Sequence, residues 1–355
     1  MTSSNNKACL IKMPEEIMRH IVGFLGFLDI LNLRKTCHAL RDFIINTKPP
    51  STFSEIYATI ELDQITFNLN PFPEKITRDD SKSPFRISYE KPKNSKNDCI
   101  ITWKLIYYHP KKSKKLKNCD ILDAFSTDFG VILAHQKSIL RNLNLIFHYP
   151  NDKEKRDVFK VVDCFKGLTT NYKEYSLKVE ELHLECKGEH EVLEVLPNLD
   201  PDYVKTLKID VGCKKANLKL QEIIYLEQWT RAKEVELIGC FGDYCHFEHF
   251  EKVGVSIQII TTEDIMTMKE MLFQNPQMRN VSFKFQHYYT DQDLTQRFGN
   301  TPREFNEWGR EMPWKTWFLR DPDGGCVVKM EYRVDLINLV KMDKDQVPTD
   351  ANIVD

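Results

Sequence analysis

Two cysteines and two histidines within ten residues are the side chains best suited to chemistry in this sequence. Together, Cys240, Cys245, His246 and His249 offer the ligand types that hold zinc tetrahedrally. Structural zinc sites usually separate the cysteine pair from the histidine pair by a longer loop, and ligation by the adjacent Cys245 and His246 would be strained. We therefore expect Cys240 to be a buried thiol, and we predict no metal and no cofactor.

Other signatures of catalysis are missing from the sequence. It contains no glycine-rich phosphate loop, no Gly-x-Ser-x-Gly nucleophile elbow and no His-Glu-x-x-His pair. A Cys–His catalytic pair stays open, because ten cysteines and ten histidines make some pairing expected by chance. We expect a non-catalytic protein, and an enzyme within residues 119–335 is the remote alternative.

Composition narrows the class of protein further. The 355 residues carry a formal net charge of -2, whereas proteins that bind nucleic acid directly usually have a clear basic excess. The longest apolar stretch, Ile21–Leu33, is too short to cross a bilayer and contains Asp29, so no membrane partner is expected. Glu15 and Glu16 precede it where a signal peptide would be basic. These features predict a cytoplasmic or nuclear protein with reduced cysteines.

The N-terminal part predicts short helices after a flexible start at residues 1–9. Apolar residues on one helical face recur at four-residue steps, at Met13, Ile17, Ile21 and Leu25. A second helix N-capped by Asp29 and then a third helix carry the apolar residues Leu31, Leu33, Cys37, Leu40 and Ile44. Three helices in about 35 residues cannot bury much surface alone, so this unit is expected to dock on a partner.

From Phe53 to about Tyr108 the apolar period changes to two. This alternation, broken by Pro, Asn, Asp and Lys turns, predicts an antiparallel β segment. The run Lys111–Lys115 follows it. A solvated loop is the favoured interpretation of this run, and a nuclear signal or an anion-binding patch is the alternative.

The rest of the chain contains a loose repeat, apolar-x-x-apolar-x-apolar. It begins at Leu140, Val179, Val204, Ala232, Gly254 and Met278. Helical stretches lie between the matches, and one strand plus one helix every 20 to 29 residues or so is typical of leucine-rich-repeat proteins. The asparagine ladder of that family is missing, so we predict an irregular leucine-rich-repeat-like α/β arc whose parallel sheet lines a concave surface.

Aromatic and basic residues cluster near the end of the arc. They are Trp308, Arg310, Trp314, Trp317, Phe318 and Arg320. We favour a cap that covers the open end of the arc over an interface hot spot. Residues 341–355 turn polar and acidic and are expected to form a loose tail.

The segment Met13-Pro14-Glu15-Glu16-Ile17 resembles the opening Leu-Pro-x-Glu of an F-box, with Met13 in place of leucine. The similarity continues through Ile21, Leu25, Leu28, Asp29, Leu31, Leu33, Cys37 and Leu40. The common tryptophan is missing at His38–Leu40. Farther along, Val179–Leu182, Leu226–Val235 and Glu263–Phe283 resemble nematode F-box proteins that carry a C-terminal FTH domain, and the whole resemblance spans roughly residues 10–335.

The resemblance implies an α+β protein with four parts and a tail. They are a flexible start (1–9), a three-helix F-box (10–48), the antiparallel β segment with the lysine run (52–118), an FTH-like interaction domain (119–335) and the tail (341–355). Such proteins bind a Skp-type linker, and through it a cullin, while the second domain binds a target protein for ubiquitylation. The implied Skp-binding residues are Met13, Pro14, Glu15, Ile17, Ile21, Leu25, Leu28, Asp29, Leu31, Leu33, Cys37 and Leu40. The alternative is a non-degradative scaffold that binds a partner such as an RNA-binding protein.

Overall fold

The computed structural model divides into two units, residues 1–179 and residues 180–355. It describes residues 10–71, 85–93, 98–105, 111–148, 161–165, 176–211, 220–239, 246–288, 291–299, 315–349, 351 and 353–354, without the single positions 26, 35, 48, 50, 52 and 162. The flexible start predicted at residues 1–9 lies outside the described residues.

The first unit begins with helices. They are a 3-10 turn (Leu10–Lys12), α1 (Glu15–Gly23), α2 (Phe27–Arg34) and α3 (His38–Thr47). Their positions fit the helical N-terminal domain predicted from the sequence, but α2 begins at Phe27, so Asp29 lies in its first turn and is not its N-cap. The division into residues 10–48, 52–118 and 119–335 stays a prediction, and residues 119–179 belong to the first unit.

A sheet follows, with the strand order β6-β1-β2-β3-β4-β5. The strands are β1 (Phe53–Glu61), β2 (Gln64–Pro71), β3 (Phe85–Glu90), β4 (Cys99–Leu105), β5 (Lys112–Leu116) and β6 (Leu140–His148). Neighbours from β1 to β5 pair antiparallel, as the two-residue alternation predicted, whereas β6 pairs parallel to β1. Alternate side chains of each strand face opposite sides, and one side is buried.

Helix α4 (Ile121–His135) covers the buried side of this sheet. It begins at Asp120, whose side chain accepts a hydrogen bond from the backbone N–H of Leu122 at 2.8 Å, as an N-cap residue does. Phe125 packs edge-on against the rings of Phe67 and Tyr89, with centroids 5.8 and 5.6 Å apart. These aromatic contacts form the centre of the core of the first unit.

The lysine run differs from its prediction. Instead of a solvated loop, Lys112–Leu116 is strand β5 at the edge of the sheet, paired with β4. Its lysine side chains are exposed, as expected. The structure differs because β4 supplies hydrogen-bonding partners for the backbone, and a solvated edge strand tolerates charged side chains.

The second unit contains five parallel strands that are neighbours in chain order. They are β7 (Val179–Glu185), β8 (Thr206–Asp210), β9 (Glu234–Ile238), β10 (Lys252–Ile260) and β11 (Asn280–Tyr288). Helices α5 (Glu189–Val195), α6 (Glu227–Arg231), α7 (Thr262–Gln274) and α8 (Asp291–Phe298) lie between or after them. Each pair of neighbouring strands is in parallel register.

The register corrects one member of the predicted repeat. Val253 and Val255 of β10 lie opposite the repeat residues Val235 and Leu237 of β9 and Val281 and Phe283 of β11. The repeat in β10 therefore begins four residues earlier than the predicted Gly254. The prediction was wrong because β10 alternates apolar residues over its whole length, so the sequence pattern fits more than one register.

Antiparallel strands complete the second unit beside β11. They are β14 (Leu336–Met342), β13 (Val327–Arg333) and β12 (Lys315–Arg320), with the short strand β15 (Ile353–Val354) parallel to β12. The tail expected to be loose therefore ends in a strand, because two β-branched residues pair with β12. Among the described residues, no helix has the length and apolar composition needed to span a membrane.

Candidate functional site

Helix α1 begins directly after Pro14, which occupies the N-cap position with φ -52° and ψ 145°. Proline suits a helix start, because the backbone N–H that it lacks would have no intrahelical partner there. Glu15 and Glu16 in the first turn interact favourably with the helix dipole. The guanidinium of Arg19 donates to the Glu15 carboxylate at 2.6 Å, one helical turn away. Local sequence therefore specifies where this helix starts.

The N-terminal helices share a small apolar core. Val22, Ile30 and Ile44 are almost fully buried there, one from each of α1, α2 and α3. The partly buried side chains packed against them are Leu25, Leu33 and Phe43. A core of this size leaves much of the apolar surface of the helices in contact with water.

The residues predicted to bind Skp fall into three groups. Exposed side chains are Pro14, Glu15, Ile17 and Asp29. Half-buried side chains are Met13, Ile21, Leu25, Leu33 and Cys37. Leu40 is 7% exposed and lies in the interior, while the side chains of Leu28 and Leu31 lie outside the described residues. Leu40 thus shapes the helical unit from within.

The sequence-based prediction missed three exposed apolar residues in the N-terminal helical region. They are Ile11 (46% exposed), Phe24 (78%) and Ile45 (41%). Phe24 follows the last residue of α1 and contacts the ring of His20 edge-on, with centroids 4.8 Å apart. The four-residue spacing used for the prediction could not find Phe24, since the residue lies just past the helix end. Its position directly after Gly23, where a helix end is expected, was the available signal.

A polar contact ties the helices to the sheet of the same unit. Nη1 of Arg34, at the end of α2, lies 3.8 Å from Oδ1 of Asp128 in α4. The hydroxyl of Tyr89 in β3 donates to Oδ2 of Asp128 at 2.9 Å. Burial, and then the charge of Asp128, raise the pKa of Tyr89 well above its usual value, so this hydroxyl keeps its proton. Asp128 therefore links α2, α4 and β3.

A second link joins the segment after α3 to the end of α4. The backbone N–H of Ser51 donates to the carbonyl oxygen of His135 at 2.8 Å, and the Ser51 hydroxyl donates to Oε1 of Gln136 at 3.0 Å. Nε2 of Gln136 donates to the carbonyl oxygen of Phe53 at 2.9 Å. Nδ1 of His135 lies 2.8 Å from the carbonyl oxygen of Pro49. These groups are buried, so the hydrogen bonds hold the helices firmly on the sheet.

Of the residues considered for zinc, His249 has another role in the described structure. Nε2 of His249 lies 2.8 Å from the carbonyl oxygen of Trp229, and its ring packs near those of Trp229 and Phe250. Burial lowers the pKa of His249. His246 is exposed, and Cys240 and Cys245 lie outside the described residues. Within the described ranges, no group of three or more His, Cys, Asp or Glu side chains is placed to hold a metal.

The aromatic cluster predicted after the repeats is described only in part. Trp317 of β12 is buried, and its Nε1–H donates to the carbonyl oxygen of Gly299 at 3.1 Å. Phe298 packs beside its ring at 6.2 Å between centroids. Trp308, Arg310 and Trp314 lie outside the described residues. Trp317 therefore contributes to the core of the second unit.

The unburied face of the parallel strands carries polar side chains in rows. One row runs across the strands through His183, Lys208, Glu236, Gly254 and Ser282. Nζ of Lys208 lies 2.9 Å from the carboxylate of Glu236, and Nζ of Lys284 lies 3.9 Å from it. A groove of about 290 Å³ lies at this point, with Glu236, Gly254 and Ser282 among its lining residues.

Two protein-family models match the chain, one over the N-terminal helices and one over the parallel strands of the second unit. The F-box domain family matches residues 10–51, which contain α1 to α3. The FTH domain family matches residues 159–300, which contain β7 to β11. Neither a curated protein nor a solved structure matches the chain. The chain therefore combines an N-terminal F-box domain with an FTH domain.

Proposed function

We propose that this chain is a substrate-recognition adaptor of a Skp–cullin–F-box ubiquitin ligase. The observation that carries the proposal is the F-box match over helices whose apolar side chains are partly exposed. An F-box domain implies binding of a Skp-type protein and thereby of a cullin. F-box proteins are generally non-catalytic, so the chain would act by holding a target close to the transferring enzyme. Such tethering raises the effective concentration of target lysines to roughly millimolar.

The proposed Skp-binding surface combines the motif residues with the exposed apolar side chains beside them. Ile17, Phe24 and Ile45 are 49%, 78% and 41% exposed. Exposed apolar side chains grouped in one small unit favour a protein partner, because covering them removes apolar area from water. The full proposed set is Met13, Pro14, Glu15, Ile17, Ile21, Leu25, Leu28, Asp29, Leu31, Leu33, Cys37 and Leu40, with Ile11, Phe24 and Ile45 added. Leu40 lies in the interior and would act by shaping the helices that carry the surface.

The target would bind to the FTH domain, which we propose to be an irregular leucine-rich-repeat-like arc. Five parallel strands that are adjacent in chain order support this proposal, with helical segments described between β7 and β8, between β8 and β9, and between β10 and β11. The polar rows on the unburied face, with the groove at Gly254, would select the target by charge and shape. A Cβ at Gly254 would lie 3.4 Å from Cγ of Glu236 and Oγ of Ser282, which is ordinary contact.

Co-expression with a Skp protein tests the adaptor function. The full chain should elute with Skp as a stable one-to-one complex in size-exclusion chromatography. Ile17→Glu with Phe24→Glu should weaken the affinity by about 30-fold or more, since a buried interface anchor contributes roughly 2 kcal/mol or more. Both side chains are exposed, so the substitutions should leave the fold intact. Val334→Glu, at a 77% exposed site in the second unit, is the control and should bind Skp normally.

The result that overturns the proposal is a folded chain that elutes alone, or a double variant that binds Skp as well as the wild type. Affinity capture with the full chain and with the double variant then separates degradation from scaffolding. Degradation is supported by a captured target whose level rises when the proteasome is inhibited. Without the inhibitor, the wild-type chain should lower the level of this target and the double variant should not. A captured partner whose level is unaffected favours the scaffold.

A further inference from the structure

Within the described residues, strand β5 pairs with a neighbouring strand, β4, along one of its two sides. It stands last in the strand order, and its residues pair with β4 from Trp103 opposite Lys112 to Cys99 opposite Leu116. An edge strand presents a row of backbone N–H and C=O groups that can pair with a further strand. The outer side of β5 is therefore a template for strand addition.

The charge of this edge has one sign. Five lysines and no acidic residue occur in the seven positions 111–117. All five lysines are exposed. Nζ of Lys115 lies 2.8 Å from Oδ2 of Asp98, whereas Lys112 and Lys114 form no ion pair within the part of the chain that the structure describes. Two positive charges on the strand are thus available to a partner.

These two lysines lie on the same side of the sheet, because alternate residues of a strand point the same way. Lys112 lies opposite Trp103 and Lys114 lies opposite Ile101. A strand added beside β5 would place its side chains about 5 Å from theirs. Acidic residues at alternate positions of that strand would therefore meet Lys112 and Lys114 directly.

The same charges act against pairing with a second copy of this chain. Two β5 edges brought together would place lysines beside lysines, which is destabilising in a cross-strand pair. An acidic strand is attracted by the same side chains. The edge is therefore selective by charge.

The edge is also formed before any partner arrives. The carboxylate of Asp98, just before β4, binds Nζ of Lys115 and accepts the backbone N–H of Asn118 at 3.1 Å. Asn118 forms the turn after β5 with a φ of 51°, a conformation that asparagine tolerates better than most residues. These contacts hold the C-terminal end of β5 beside β4, and the backbone pairing with β4 runs from Lys112 to Leu116, so binding need not first order the strand.

We propose that β5 is a docking edge for an extended acidic segment of a partner protein, which joins the sheet as a further strand with carboxylates beside Lys112 and Lys114. This site is separate from the F-box helices and does not rest on the proposed ligase function.

A labelled peptide of about nine residues, in which glutamate alternates with valine, is the probe for the full chain. Two further peptides carry backbone N-methyl groups, one on the odd and one on the even positions. Strand addition uses the N–H groups of one peptide edge, so one methylated peptide should lose binding and the other should keep it. Purely electrostatic binding would be the same for both.

The charge-reversed variant is Lys112→Glu with Lys114→Glu. It should bind the glutamate peptide about tenfold or more weakly, and it should gain binding to the matching lysine peptide, because the opposite charges are exchanged. Lys93→Glu with Lys137→Glu changes the net charge equally at exposed sites outside β5, and it should bind as the wild type does. Thermal unfolding of both variants checks that the fold is retained.

Four results would overturn the proposal. One is equal binding of both methylated peptides, and the second is an equal loss of affinity in the two lysine variants. The third is displacement of the peptide by a single-stranded oligonucleotide that binds more tightly than the peptide itself, which would make β5 a general anion patch. Absence of binding by the wild type at low salt also counts against it.

Discussion

Replacement of Asp128 by alanine tests whether a buried carboxylate holds the F-box helices on the sheet. The Tyr89 hydroxyl, in a residue that is 0% exposed, would lose its acceptor, which costs about 1–3 kcal/mol. The Arg34 side chain, 13% exposed, would lose its neighbouring charge at 3.8 Å. Because some water reaches this pair, we assign it about 1 kcal/mol, well below the cost of breaking a fully buried pair. The free energy of unfolding of the first unit should therefore fall by about 2–4 kcal/mol.

The assay is urea unfolding of the full chain combined with hydrogen exchange, because the chain has two compact units and a single unfolding transition cannot be assumed for such a protein. Exchange should quicken in α2 and in β3, which Asp128 joins, and stay unchanged in α7 of the second unit. Tyr89→Phe is the matched control. Added to Asp128→Ala, it should recover part of the lost stability, since no buried hydroxyl then lacks an acceptor.

Asp128 would have no such role if Asp128→Ala unfolded within about 0.5 kcal/mol of the wild type with unchanged exchange in α2. A loss of stability confined to the second unit would refute it equally. Additive effects of the two substitutions would show that Tyr89 and Asp128 do not act through their hydrogen bond.

Two further predictions concern the second unit. Since burial lowers the pKa of His249 in the folded chain, its neutral form adds stability above the ordinary histidine pKa of about 6.5, and this stability is lost as pH falls through the lower folded-state pKa. His249→Gln should therefore lose less stability than the wild type between about pH 7 and pH 5 in urea unfolding, and parallel pH profiles would contradict this. Thr261→Ala removes the capping box with Asp264 at the start of α7 and should cost about 1 kcal/mol. Faster hydrogen exchange in the first turn of α7 is the sign, and unchanged protection there would argue against the cap.

Several features of this protein follow from local sequence. Pro14 and the acidic residues after it specify a helix start by backbone geometry and charge. The two-residue alternation predicted the antiparallel strands, because a half-buried strand must place apolar residues on one side. The resemblance of Met13–Ile17 and the residues after it to an F-box is confirmed by the family match over residues 10–51.

Other features depend on neighbours that are distant in the chain. The pairing of the lysine run with β4, the register of β10 between β9 and β11, and the link from Arg34 to Asp128 all join separate segments. The sequence had assigned the lysine run to a loop and the repeat in β10 to a register four residues away. No local pattern marks the contact between Arg34 and Asp128. Periodicity determined which side of each element is apolar, whereas packing and backbone pairing between elements decided what each side contacts.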